Sequence, residues 1–176
     1  MSNTAVFGIA TSRLQAEQVV GSLRAAGFSP NDISVLFPDV SGTRDFAHEQ
    51  HTKAPEAAST GAGVGGALGA GLGWLAGIGS LAIPGIGPFI AAGPIMAALS
   101  GAAVGAAVGG LGGALIGLGI PELEAKQYED KLREGNVLLS VHTEDRDEVK
   151  RAKEIFKAAK LERISSSGEE SAPKRR

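Results

Sequence analysis

The chain has 176 residues, a formal charge of −2 and a pI near 5.9, with both signs mixed along its flanks. That balance gives no global attraction to nucleic acid, and the absence of cysteine excludes disulfides, thiolate metal sites and a cysteine nucleophile. Hydrophobic residues make up 43%, an ordinary share, but they crowd into the middle: no Asp, Glu, Lys, Arg or His occurs between Glu56 and Glu122.

The first segment, 1–38, reads as strand, helix, strand. Ala5 to Ala10 is β-prone, and Met1 to Ala10 lacks the basic and long apolar regions of a secretory signal, so the flanks are expected in the cytoplasm. Ser12 and Gln15 make a capping box. Ala16, Val19, Val20 and Leu23 follow at helical spacing, and Gly27 ends the helix. Ile33 to Phe37 is an apolar run closed by Pro38, the pattern of a buried strand. Residues 39–56 read as a polar linker. His48, Glu49 and His51 lie in it, but two histidines three apart in a loop do not face one ion as an i, i+4 pair on a helix does, so no metal is expected.

Residues 57–120 form an uncharged segment in which glycines recur every fourth position. One run is Gly61, Gly65, Gly69, Gly73 and Gly77; the other is Gly101, Gly105, Gly109, Gly113 and Gly117. On a helix this spacing stacks small residues along one stripe, where a neighbouring backbone approaches closely, and the segment is expected to be a helical hairpin. Its turn is placed at Pro84, Gly85, Gly87 and Pro88, with Pro94 as a possible true start of the second arm. Nine glycines between Gly61 and Ile83 oppose an isolated helix in water by about 8 kcal/mol. Lipid leaves helix as the open choice, and either arm exceeds the ~20 residues needed to span. The apolar side chains of the first arm supply only about −3 kcal/mol, so insertion calls for helix partners. An even number of spans would leave both termini in the cytoplasm. Gly61, Gly63 and Gly66 match GxGxxG, but polar linker precedes them and no acidic residue follows at the ribose-binding distance, so no nucleotide cofactor is expected. Trp74 reads as a packing or lipid-facing residue.

Beyond the insert, Pro121 suits a helix start, and Ala125, Tyr128 and Leu132 line one face before Gly135. Val137, Leu139 and Val141 alternate as in a half-buried strand, which turns Ser140 and His142 outward as surface residues. Val149, Ala152, Ile155, Phe156 and Ala159 define another helix, and Leu161 to Ser165 a last strand, giving a region 121–165. Residues 166–176 read as a disordered tail, and its Lys174, Arg175 and Arg176 fall short of the usual cluster of about four to eight for anionic headgroups. The order βαβ, insertion with one extra helix, βαβ is the parts list of an α+β, ferredoxin-like sandwich with helices on one face of a four-stranded antiparallel sheet. Its other face would need a partner, a second copy or the insert to cover it.

Val6-Phe7-Gly8-Ile9, Ala26-Gly27-Phe28 and Ile33-Ser34-Val35-Leu36-Phe37 resemble segments of the bacterial heat-induced general stress protein family. So do Gly61-Ala62-Gly63-Val64-Gly65-Gly66, Ile83-Pro84-Gly85-Ile86-Gly87-Pro88 and Gly119-Ile120-Pro121-Glu122. The resemblance runs over nearly the whole chain up to Ser165 and implies a stress-associated, glycine-zipper protein. Joined to the uncharged segment and its glycine stripes, it makes the leading expectation a non-enzymatic stress-response protein that self-assembles as a homo-oligomer at the cytoplasmic membrane through transmembrane helices. It supplies no catalytic residues and no cofactor. A more distant likeness is to the small membrane subunit of a quinol-oxidising respiratory complex. The rival reading is a soluble α/β sensor or binding module in the cytoplasm, with the insert buried in the fold or in an oligomer.

Overall fold

The computed structural model describes residues 4–39, 79–83, 87–95 and 103–168. Within them the chain is α+β: strands β1 (Thr4–Ala10), β2 (Ile33–Pro38), β3 (Gly79–Ile83), β4 (Gly87–Ala92), β5 (Val137–Thr143) and β6 (Glu162–Gly168) form one antiparallel sheet in the order β3-β4-β2-β5-β1-β6. The helices are α1 (Arg13–Ala25), α2 (Ala103–Gly117), α3 (Glu122–Arg133) and α4 (Arg146–Ala158).

Local chemistry sets the outer elements. The Ser12 hydroxyl accepts from the Gln15 N–H at 3.1 Å, while the Gln15 side chain accepts from the Thr11 N–H at 2.7 Å, so donors at the start of α1 are satisfied. Asp145 caps α4 in the same way through the Asp147 N–H at 2.9 Å. The apolar faces of α1 and α4 close one side of the sheet, where Ala16, Val19, Val20, Leu23, Ala152 and Phe156 are buried against Val6, Val35, Leu139 and Val141. Gly8 makes this packing close: a Cβ there would stand 2.9 Å from Phe156 Cδ2.

The other side of the sheet is also covered, by α2, α3 and the residues following β4. Phe89, Ala91, Ile95, Leu111, Leu115 and Ile120 of the insert are buried with Phe7, Leu36, Tyr128 and Leu138 in a second core cluster. Of the three covers expected for this face, the insert is the one observed. The described residues of the insert therefore share a core with the head. Strand β5, expected to be half-buried, is buried on both faces for the same reason.

The central departure from the sequence reading is the expected helical hairpin. Residues 79–83 and 87–92 are strands that pair with each other from Gly79↔Ala91 to Ile83↔Gly87, and β4 adds to β2 through Val35↔Ala92 to Pro38↔Phe89. The connection does fall where the turn was expected, but it joins strands. Pro84 and Gly85 lie outside the described residues, whereas Gly87 and Pro88 belong to β4. Two prolines and three glycines in ten residues disfavour helix, whereas Leu, Ile and Phe suit a pleated surface, and the edge of β2 offers unpaired backbone groups. Pro94 and Ile95 have helical backbone after β4, and residues 96–102 lie outside the described residues.

The second glycine run does not form one straight stripe. Gly105, Gly109, Gly113 and Gly117 are in α2, but Gly110 has φ 61° and ψ −153°, which breaks the helix between them. The break frees amides at the start of the following segment, and the Glu129 carboxylate of α3 accepts from the Gly112 N–H at 2.9 Å. Glu129 is itself held by Arg133 at 2.6 Å. Gly61, Gly65, Gly69, Gly73, Gly77 and Gly101 lie outside the described residues. The last strand runs on to Gly168, so Ser166, Ser167 and Gly168 are sheet rather than tail.

Candidate functional site

Two polar clusters stand out within the fold. The first lies on the sheet face beneath the insert. Ser34 of β2 and Ser140 of β5 are cross-strand partners, both essentially fully buried. His142 Nε2 is 3.2 Å from Ser140 Oγ and 3.4 Å from Ser34 Oγ, and the Ser34 hydroxyl accepts from the Ile95 N–H at 3.1 Å. The chain reaches Ile95 through Gly93, which has φ +83° and passes so close to β2 that a Cβ would stand 2.0 Å from the Ile33 carbonyl oxygen. Ser34 thus satisfies an amide where the backbone leaves β4 and turns over the sheet. The side of β5 expected to face solvent is an interior face.

A histidine between two hydroxyls has the composition of a nucleophile and its base. Access decides against that use here, because Ser34 and Ser140 are 0% and 1% exposed. The cluster's observable work is to fix the register of β2 on β5 and the path of the insert above them.

The second cluster lies where α3 meets the edge strand β6. Strand pairing jumps from Phe7↔Ser165 to Ile9↔Glu162, so two residues of β6, Arg163 and Ile164, stand opposite Gly8. Arg163 takes φ 50° at this bulge, and its displaced carbonyl accepts from the Tyr128 hydroxyl at 2.8 Å. Ser165 Oγ is 2.7 Å from the same hydroxyl, and with the phenol proton committed to the carbonyl, Ser165 is the donor. Burial raises the Tyr128 phenol above its ordinary pKa of 10.0, with the Ser165 hydrogen bond acting in the opposite sense. The Arg163 guanidinium donates to Gln127 Oε1, and Lys131 ties Glu134 of its own layer to Glu162 of β6. Glu124, Gln127, Tyr128, Arg163, Ile164 and Ser165 line an open cleft of about 190 Å³. That is below the roughly 300–1,000 Å³ of ligand pockets, and Gln127, Tyr128, Arg163 and Ser165 already bond one another.

The expected packing glycines fare unevenly. A Cβ at Gly117 would meet nothing within 4 Å, so this position makes no close contact, whereas Gly112, off the four-residue spacing, would put a Cβ 2.6 Å from Glu129 Oε2. No group of three or more metal-ligating side chains occurs among the described residues. No helix among them is long and apolar enough to cross a membrane. Comparison with family models, curated proteins and solved structures found no match for the chain.

Proposed function

We propose that this chain is a non-enzymatic association module, a ferredoxin-like head with the uncharged insert folded onto it, which acts by self-assembly rather than by chemistry on a substrate. The β2-β5-β1-β6 order, with α1 and α4 on one face, supports the ferredoxin-like reading. The observation that carries the soluble form of the proposal is the second core cluster, in which insert and head side chains are buried together. Self-association is assigned to the glycine run from Gly61 to Gly77, on its spacing. The stress-response role rests on the family resemblance.

A second reading keeps the insert as a membrane-spanning glycine zipper with both termini in the cytoplasm. The lack of any charge between Glu56 and Glu122 favours it, but β3 and β4 would have to leave the sheet. Fractionation with a carbonate wash, followed by cross-linking, separates the two. The soluble reading expects the chain in the wash as an oligomer that Gly69→Leu weakens. Retention in the carbonate pellet refutes it in favour of the spanning form, and a monomer refutes self-assembly.

A further inference from the structure

The edge strand β6 and helix α4 together make a surface on the layer opposite the insert. Arg146, Lys150, Lys153 and Lys157 of α4 follow one another at spacings of four and three, so they share about 60° of the helix circumference, and Lys160 follows just beyond the helix end. All but the half-buried Lys153 are exposed. At about 1.5 Å per residue the row from Arg146 to Lys157 is roughly 17 Å long. Its orientation is fixed by Arg151, which donates to the Ala26 carbonyl at 3.2 Å and stacks over Phe28, marking the side of α4 that faces the end of α1. The row lies on the other side of the helix, above β6. Asp147 and Glu154 sit on the outer surface beside it, and Asp147 pairs with Lys150 at 3.2 Å in a contact about three-quarters exposed at both ends, so this pair is worth little. Arg146, Lys153, Lys157 and Lys160 make no ion pair among the described residues.

Below this row β6 has one strand neighbour among the described residues, β1, and alternate backbone groups along it point away from the sheet. Its beginning is committed: Glu162 pairs with Lys131, and the bulge at Arg163 twists the edge. From Ser165 to Gly168 the pairing is regular, the side chains are small and no charge blocks the edge. Helix and strand are consecutive and of similar length, so the Ser165–Gly168 end lies alongside Arg146, Lys150 and Lys153.

We propose that this surface docks an extended acidic peptide of a protein partner, which adds as a strand to the Ser165–Gly168 edge and sets carboxylates against Arg146, Lys150 and Lys153. An unpaired strand edge calls for backbone N–H and C=O groups, and the cations beside it call for negative charge. A lipid surface or an oligonucleotide answers only the second requirement. Glu or Asp at every second position of a strand falls on one face, the face turned toward α4.

The test is fluorescence anisotropy on the full chain, with a labelled peptide of about eight residues alternating Glu and Val. Binding is expected to be about tenfold tighter than for the peptide with Gln in place of Glu, the effect of two or three partly exposed charge pairs. Arg146→Glu combined with Lys153→Glu should remove that difference while the circular-dichroism melt is unchanged. N-methylation of alternate peptide amides, which leaves every charge in place, should abolish binding. Equal binding of the acidic and neutral peptides overturns the proposal. So does undiminished binding of the N-methylated peptide, or tighter binding to phosphatidylserine vesicles or a single-stranded oligonucleotide than to the acidic peptide.

Discussion

Leu115 and Ile116 are neighbours in α2, one fully buried and the other 44% exposed, and they offer a direct test of whether the insert belongs to the head's core. Leu115 packs in the cluster that holds Phe7, Leu36, Tyr128 and Leu138. Truncation to Ala removes three carbons and leaves a cavity between helix and sheet, and for a buried leucine the cost is about 2–5 kcal/mol. Ile116→Ala removes a similar volume from a surface position and should stay within about 0.5 kcal/mol. For a chain of this size each kcal/mol lowers Tm by roughly 2–4 °C, so Leu115→Ala should melt roughly 6–12 °C below wild type if the cost is about 3 kcal/mol. Ile116→Ala should lie within about 2 °C. Thermal melts by circular dichroism in buffer without detergent or lipid read both. If the two variants melt together near wild type, α2 is not packed on the sheet and the shared core is refuted. If Ile116→Ala is the more damaging, the orientation of α2 is wrong.

Gly93→Ala should be more severe than an ordinary glycine substitution, because left-handed backbone costs an L-residue about 1–2 kcal/mol and the new Cβ would also collide with the Ile33 carbonyl at 2.0 Å. Loss of soluble folded protein, or a Tm at least as low as that of Leu115→Ala, is the expected result; a wild-type melt would refute the close crossing over β2. Tyr128→Phe leaves the Arg163 carbonyl without its donor and should destabilise by about 1–2 kcal/mol at neutral pH, read by urea denaturation. The same residue carries a pH signature: its folded pKa is raised, so its contribution is complete below the unfolded value of 10.0 and is lost as pH rises beyond it. Wild type should therefore lose stability above pH 10 more steeply than Tyr128→Phe, and parallel profiles would count against a buried phenol.

The outer elements were legible because each carries polar residues that give a helix or strand two distinguishable sides. Ser12 and Gln15 announce the start of α1, and Ala125, Tyr128 and Leu132 recur on the buried face of α3. The insert has no such contrast. With no charged residue to mark a solvent side, the four-residue glycine period was the strongest regularity, and it outweighed the short runs at Leu81–Ile83 and Phe89–Ala92 that in fact extend the sheet. Ser34, Ser140 and His142 could not be joined from sequence, because their meeting depends on the β2–β5 register and on the return of the chain at Ile95. Tyr128 looked like one more core aromatic. Nothing in its spacing signals that a bulge in β6, thirty-five residues on, leaves a carbonyl for its hydroxyl.

The glycines of α2 show how one spacing can serve different physical ends. A small-xxx-small stripe works only while the helix is straight, since a turn out of register moves the next glycine off the contact face. Here Gly110 breaks α2, Gly112 makes the close approach to Glu129 of α3, and Gly117 faces open space. The end of the second run therefore folds the insert back onto its own head, with a carboxylate from the next helix satisfying an amide beyond the break. If glycines also bring copies of the chain together, the run from Gly61 to Gly77, which lies outside the described residues, is the candidate on its spacing. Gly69 stands at the centre of that run in sequence, so its replacement by leucine is the direct test of assembly: a weakened oligomer with an unchanged circular-dichroism melt is the expected result, and an unchanged oligomer refutes the assignment.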